Sequence, residues 1–169
     1  MVFKRYIQYS EEETLAAVLA SQDMVPVNIS LDEGSDMNLE TGDECVAELW
    51  SNEYEVSIYS SEEEYRAAGT NMAPISMIPM GTFSANPEQK DFRQNAMILF
   101  TGIVREAERN PKPEEDAPVW RLRIETYALS FELYYFEDEL VQPGYLVHGQ
   151  VWLYGALRRK TATDAQAAD

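Results

Sequence analysis

The chain has 169 residues, 45% of them hydrophobic, which is enough for a substantial core in one domain or in two small interlocked halves. Its 13 basic and 30 acidic residues give a net charge of −17, so the chain should be repelled by nucleic acid and by anionic membranes. Only one cysteine, Cys45, and one histidine, His148, are present. That count argues against disulfides, zinc clusters and the usual catalytic triads, so we expect no catalytic residues, no metal and no cofactor.

The N-terminus carries no apolar run of signal-peptide length, and no stretch approaches a membrane span. We therefore expect a cytoplasmic protein. The charge is uneven along the chain, because residues 1–69 hold 16 acidic and 3 basic residues. The acidic surface is thus expected mainly in the N-terminal part.

The first residues predict a short edge strand from Phe3 to Tyr9, followed by an amphipathic helix at about 11–21. Ser10 and Glu13 have the spacing of a capping box, and acidic residues suit the positive end of a helix dipole. The apolar residues Leu15, Val18 and Leu19 would then form one stripe of that helix.

Period-two alternation predicts further strands in the N-terminal part. One strand is expected over 25–31, with a turn over 32–36. The runs 39–50 and 54–58, separated by Ser51-Asn52-Glu53, are predicted to form a hairpin. A second capping box, Ser61 with Glu64, predicts a short helix at about 62–68, with Gly69 at its C-terminal end.

The segment from Asn71 to Asn95 contains three prolines that prevent long helices and central strands. Its apolar residues, among them Met77 and Met80, predict a packed, extended connection against the core. A Met-rich adaptable binding surface is the functional alternative for the same residues.

Three strongly apolar runs between Met97 and Leu157 predict the main strands. The run 97–107 is expected to be a central strand, with Gly102 at a bulge or bend. In 119–126, Trp120, Leu122 and Ile124 share one face while Arg121 and Arg123 share the other. Further strands are predicted over about 129–135 and 146–154, the last one after a turn at Pro143-Gly144.

Two glycine-opened strands resemble one another. Gly42 precedes Trp50 by the same spacing that separates Gly144 from Trp152, and Cys45 then corresponds to Val147. This pattern is compatible with an internal duplication and also with coincidence.

Taken together, these patterns predict a β-rich α+β protein, with a small antiparallel β-barrel or OB-like sheets and two short helices. The expected organisation is an acidic α+β subdomain (1–69), a packed Pro/Met-rich connection (70–96), an antiparallel β subdomain (97–157) and a flexible tail (158–169).

The titratable residues favour structural roles. His148 lies inside a predicted strand and is expected to be a hydrogen-bonded structural residue. Cys45 has no basic neighbour in sequence to lower its pKa and is expected to be a small buried hydrophobe. The carboxylate groups at 62–64, 114–116 and 137–139 are too common in so acidic a chain to indicate acid–base catalysis. The run 31–36 lacks the spacing of an EF-hand.

Three functional interpretations remain open. The first is a non-enzymatic interaction protein, such as an inhibitor or immunity-type protein, that occupies the basic surface of a nuclease or other nucleic-acid-binding partner. Its expected partner-binding residues are Glu11, Glu12, Glu13, Glu62, Glu63 and Glu64. The second is an OB-like module that binds a small ligand or oligosaccharide through Tyr and Trp side chains. The third is an ordinary globular protein with a solvated acidic surface.

Overall fold

A computed structural model of the chain describes residues 1–52, 55–83, 92–114 and 116–166. The strands are β1 (Val2–Gln8), β2 (Thr14–Ala20), β3 (Val25–Leu31), β4 (Cys45–Asn52), β5 (Glu55–Tyr59), β6 (Ser76–Ile78), β7 (Met97–Arg109), β8 (Trp120–Glu125), β9 (Ser130–Tyr135), β10 (Leu146–Trp152) and β11 (Tyr154–Arg159). The helices are α1 (Glu62–Ala67) and α2 (Ala162–Gln166). The described part is therefore β-rich, as predicted, and of its two short helices only α1 is one of those predicted.

The strands form a mixed sheet whose described ladders do not close, so the predicted barrel is not confirmed. The chain divides into two compact units, each made of separated segments. Unit 1 contains Met1–Leu49, Pro79–Ala96 and Leu153–Asp169, and unit 2 contains Trp50–Ile78 and Met97–Trp152. This division differs from the consecutive segments expected from the sequence.

In unit 1, β2 pairs antiparallel with β1 on one side and with β3 on the other. β11 then pairs parallel with β3, and the first part of β4 follows β11 in the strand order. Phe3, Leu15, Ala16, Val18 and Ile29 are almost fully buried in this unit.

In unit 2, the strand order begins with the end of β4, which pairs parallel with β9. It continues through the antiparallel pairs β9–β8, β8–β7, β7–β10 and β10–β5, and the short β6 also pairs with β7. Phe100, Leu122, Ile124 and Leu133 are fully buried in this unit. β7 is thus a central strand, as predicted.

The two units repeat the same hydrogen-bond pattern around a glycine turn. In unit 1, the backbone N–H of Gly42 donates to the carbonyl of Phe3 at 2.9 Å. In unit 2, the N–H of Gly144 donates to the carbonyl of Val104 at 2.8 Å. The two glycines have φ angles of 99° and 94°, which side-chain-bearing residues rarely adopt.

The repeat extends to the irregularities of the strands. The β1–β2 ladder shifts register between Phe3 and Arg5, and the β7–β8 ladder shifts between Val104 and Glu106. Phe3 and Val104 are equivalent, because each accepts the hydrogen bond of its unit's turn glycine. Both bulges therefore follow equivalent residues.

Each unit also has a parallel strand pair at an equivalent place. Tyr154 is the register partner of Ser30 in unit 1, and Asn52 is the register partner of Tyr134 in unit 2. Tyr154 and Asn52 each come two residues after a tryptophan. These matches support the duplication considered from the Gly42 and Gly144 spacing.

The predicted helix at 11–21 is wrong, because this segment forms strand β2. Leu15, Ala16, Val18 and Ala20 are all fully buried, and such burial on both faces suits an internal strand rather than a one-sided helix. The long-range pairing with β1 and β3 overrides the local helix preference of an Ala- and Leu-rich run. The hydroxyl of Ser10 accepts from the N–H of Glu13 at 3.0 Å, but it does so in the turn between β1 and β2.

The predicted hairpin is also wrong. β4 and β5 follow one another, but β4 pairs with β9 while β5 pairs with β10. Of the proposed connection, Glu53 lies outside the described residues. Of the segment expected as a tail, Arg158 and Arg159 belong to β11, and Ala162–Gln166 forms α2.

The helix predicted at 62–68 is confirmed as α1, with the Ser61 hydroxyl accepting from the N–H of Glu64. Gly69 follows with a φ of 80°. Gly102 does lie in β7, but a Cβ there would meet Ile124 at 2.5 Å. The glycine is therefore needed for close packing against β8, and the bulge of β7 falls two to four residues later.

The Pro- and Met-rich segment is only partly packed. Ser76–Ile78 forms β6, whereas Ile75, Met80 and Phe83 are exposed. Residues 84–91 lie outside the described part of the chain. Among the helices that the structure describes, none has the length and apolar composition needed to cross a membrane.

Candidate functional site

The six predicted partner-binding glutamates divide into three that are engaged locally and three that are not. Glu13 accepts from the Ser30 hydroxyl, Glu62 pairs with Arg66, and Glu64 accepts from Ser60. The three unengaged carboxylates, for which the described residues provide no hydrogen-bond or ion-pair partner, are those of Glu11, Glu12 and Glu63.

Local structure holds each acidic group at the surface. Glu11 and Glu12 are exposed in the turn between β1 and β2. Glu63 lies in the first turn of α1, where the positive end of the helix dipole favours a carboxylate. The hydrogen bonds from Ser60 lower the pKa of the neighbouring Glu64, which keeps it ionised. Glu11 and Glu12 belong to unit 1, whereas Glu63 belongs to unit 2.

His148 takes part in a hydrogen-bonded chain inside unit 2, as predicted for a structural histidine. Its Nδ1 lies 2.9 Å from Thr101 Oγ1, which lies 2.9 Å from the phenol oxygen of Tyr65. The Tyr65 hydroxyl donates to the carbonyl of Met72 at 3.1 Å. Tyr65 and Thr101 are fully buried, so this chain fixes α1 against β7 and β10.

Cys45 is buried, as predicted, and burial raises the pKa of its thiol. No group of three or more His, Cys, Asp or Glu side chains that could hold a metal ion occurs among the described residues. Asp32 and Asp36, two of the three acids of the 31–36 run, instead accept from the backbone N–H groups of Glu33 and Asn38.

The outer face of the β7–β8–β9 sheet in unit 2 carries polar and aromatic side chains. Arg121 is the register partner of Glu108 on β7 and of Tyr134 on β9, and Arg123 is the partner of Glu132 on β9. We call these five residues the β8 face. Arg121 pairs with Glu108 at 2.5 Å, whereas the side chains of Arg123 and Glu132 make no hydrogen bond or ion pair within the described residues.

A cavity of about 250 Å³ adjoins the β8 face at the loop between β7 and β8. Its lining includes Arg109, Pro111, Pro118, Trp120 and Tyr134. Trp120 is 7% exposed, and its indole Nε1 has no hydrogen-bond acceptor among the described residues. The cavity is smaller than the pockets that enclose drug-sized ligands and has the size of a single side chain or a small ring.

Sequence reasoning placed Arg121 and Arg123 on one exposed face correctly, but it did not find the cavity. The prolines of the 110–118 loop exclude regular structure there, but they give no signal of a cavity. Tyrosine content alone does not identify a contact surface, since Tyr127 is exposed whereas Tyr135 is buried. Only register shows that Tyr134 lies beside Arg121, because that neighbour comes from another strand.

The equivalent positions of unit 1 are buried instead of exposed or half-buried. The β2–β3 ladder of unit 1 is equivalent to the β8–β9 ladder of unit 2. In this comparison Leu15 takes the place of Arg121, and its register partner Ser30 takes the place of Tyr134. Both unit 1 residues are almost fully buried. By the same register, Asn28 takes the place of Glu132.

Asn28 anchors a segment of the chain on this face of unit 1. Its side-chain amide donates to the carbonyls of Gly81 and Asn95, at 3.1 and 3.0 Å. Both carbonyls belong to Pro79–Ala96, which is part of unit 1. Arg5 on β1 also donates to the side chain of Gln94. Unit 1 thus binds irregular polypeptide where unit 2 leaves its face open.

Comparison of the chain with protein-family models, with curated proteins and with solved structures finds no match in any of the three.

Proposed function

We propose that this chain is a non-enzymatic binding protein whose exposed carboxylates dock on a basic surface of a partner protein. The observation that carries the proposal is the excess of 30 acidic over 13 basic residues. Seven of the basic residues already pair with carboxylates of the chain itself: Arg66, Arg105, Arg109, Arg121, Arg158, Arg159 and Lys160. The chain's own cations therefore leave a large negative charge for a partner.

Glu11, Glu12 and Glu63 are the carboxylates best suited to this contact. They are exposed and have no side-chain partner among the described residues, so docking breaks no existing interaction. Complementary charge speeds association and selects among partners. It is weakened by salt when the charges remain near solvent.

The partner class that best matches this charge is a nuclease or another nucleic-acid-binding protein. Such proteins present basic surfaces built to neutralise phosphates. A chain that offers carboxylates in place of phosphates would occupy that surface and inhibit nucleic-acid binding. The chain itself would not bind nucleic acid, since its net charge is of the same sign.

Capture from a cell lysate at low and moderate salt tests the proposal. Wild type is compared with the triple variant Glu11→Gln, Glu12→Gln, Glu63→Gln. The matched control, Glu33→Gln, Glu40→Gln, Glu114→Gln, removes the same charge from exposed positions elsewhere. We expect wild type and control to retain a basic protein that added DNA displaces, and the first variant to lose it. Retention of no basic protein, or equal behaviour of both variants, would leave only a solvated acidic surface.

We also propose an OB-like arrangement for each unit. In its favour, each unit combines three consecutive antiparallel strands with one parallel pair to the third of them. In unit 1, the glycine turn before β4 is hydrogen-bonded to β1. In unit 2, the glycine turn before β10 is hydrogen-bonded to β7. Five strands in Greek-key order are typical of that small barrel.

A further inference from the structure

The equivalent faces of the two units differ in one respect that bears on binding. In unit 1 the described residues 79–83 and 92–96 of the same chain lie on the β1–β2–β3 face, where Asn28 donates to the carbonyls of Gly81 and Asn95. In unit 2 the equivalent β8 face is open, with Arg121 and Arg123 exposed. A repeat that binds irregular polypeptide on one copy of a face has the backbone geometry to bind it on the other.

We propose that the β8 face of unit 2 binds an irregular or extended segment of a partner polypeptide. The side chains that replace those of unit 1 suit this occupant. In unit 1 Asn28 donates to two backbone carbonyls. In unit 2 the donor for such carbonyls is Arg123, which takes the place of Ala17 and whose guanidinium has no ion pair among the described residues.

Charge defines the chemistry of the partner segment more closely. Glu132 occupies the position equivalent to Asn28, and a carboxylate accepts hydrogen bonds without donating any. It therefore selects a backbone N–H or, better, a Lys or Arg side chain of the segment. A basic residue next to Glu132 also agrees with the net charge of the whole chain.

The cavity beside Tyr134 supplies the apolar part of the recognition. Its walls of Pro111, Pro118, Trp120 and Tyr134 accept one apolar or aromatic side chain, and its volume of about 250 Å³ is too small for a folded element. An aromatic anchor in a pocket, flanked by charged contacts, is the usual pattern of a binding hot spot. The partner segment should thus carry an apolar or aromatic residue close to a basic one.

This inference rests on the proposed function only in taking a protein as the partner, since it uses none of the acidic residues assigned above. The test probes an array of random peptides with purified full-length protein. The face variant is Arg123→Ala, Tyr134→Ala. The matched control is Arg66→Ala, Tyr127→Ala, which removes one exposed Arg and one exposed Tyr of unit 2 away from the β8 face.

We expect wild type and control to bind peptides enriched in an apolar or aromatic residue near Lys or Arg. The face variant should bind them on the order of tenfold more weakly, as for loss of a hot-spot residue. Binding of no peptide, or equal binding by face variant and control, would overturn the inference. So would binding to a parallel oligosaccharide array that depends on Tyr134 in place of peptide binding.

Testing the variant Glu11→Gln, Glu12→Gln, Glu63→Gln on the same array separates the two proposals. Peptide binding that survives in this variant but fails in the face variant supports the β8 face independently of the acidic surface. Peptide binding lost only in the acidic variant overturns the β8 face and leaves the proposed function standing.

Discussion

Thr101 Oγ1, which is fully buried in unit 2, lies 2.9 Å from Nδ1 of the half-buried His148. The direction of this hydrogen bond follows from its neighbours. Since the phenol of Tyr65 donates to the carbonyl of Met72, it must accept from Thr101, and Thr101 must then accept from His148. His148 therefore carries a hydrogen on Nδ1.

Replacing Thr101 by Val should destabilise the protein. Val has nearly the same shape but leaves Nδ1–H of His148 without this acceptor and removes one hydrogen bond of Tyr65. An unsatisfied buried group costs roughly 1–3 kcal/mol of unfolding free energy. Urea unfolding measures it, with Thr101→Ser as the control that keeps the hydroxyl. Equal stability of the Val and Ser variants would contradict the hydrogen-bonded chain.

Gly149 should not tolerate a side chain. A Cβ at this position of β10 would lie 1.9 Å from the carbonyl oxygen of Glu55 on β5. Neither atom can move away without a shift of its backbone, because the Cβ is fixed by the backbone of β10 and the oxygen belongs to that of β5. Gly149→Ala should therefore lower the unfolding free energy by roughly 1–3 kcal/mol, the usual cost of overpacking. Gly34→Ala is the control, because its Cβ would meet only Ala156 at 3.6 Å. Thermal unfolding that ranks Gly34→Ala as the worse variant would refute the β5–β10 pairing.

Cys45 should be unreactive in the folded protein. Burial raises the pKa of its thiol, and the thiolate is the form that reacts. Alkylation by iodoacetamide should be slow in buffer and become fast once denaturant unfolds the chain. Cys45→Ser controls for labelling at other side chains. Equal alkylation rates in buffer and in denaturant would contradict the burial of this residue.

The Arg105–Glu125 pair should contribute a pH-dependent stabilisation. A hydrogen bond from Arg105 lowers the pKa of the Glu125 carboxyl below its ordinary value of 4.5. A carboxyl whose pKa is lowered by folding stabilises the folded state at pH values above its ordinary pKa. This stabilisation is lost as the pH falls through the lowered pKa. Glu125→Gln should therefore be slightly less stable than wild type at neutral pH. The effect should be small, because the pair is exposed to solvent.

Urea unfolding of both proteins at neutral and strongly acidic pH measures the effect of Glu125. Glu137→Gln is the control, because the Glu137 carboxylate is exposed and has no hydrogen-bond or ion-pair partner within the described residues. A stability difference for Glu125→Gln that persists unchanged in acid would show that the ion pair is not its source.

The strands with strict alternation could be predicted from the sequence. In β8, Trp120, Leu122 and Ile124 are buried while Arg121 and Arg123 are exposed, because each face of that strand meets a uniform environment. The capping box at Ser61 likewise predicted α1, since its hydrogen bonds are local.

Long-range pairing explains the errors. The N–H of Glu13 donates to the hydroxyl of Ser10, and this local hydrogen bond is compatible both with a helix start and with the observed turn. Only the presence of β1 and β3 on either side decides that Leu15 and Val18 belong to a strand. The β8 face could be predicted in part, but its neighbours on β7 and β9 depend on register, and so does its cavity.

The most direct test of the proposed docking through exposed carboxylates is the salt dependence of binding to the basic protein that capture identifies. Binding through Glu11, Glu12 and Glu63 predicts that the wild-type dissociation constant rises steeply with salt. For Glu11→Gln, Glu12→Gln, Glu63→Gln it predicts weaker binding at low salt and a shallower rise, with the control variant close to wild type. A dissociation constant that is insensitive to salt, or equal in both triple variants, would contradict the proposal.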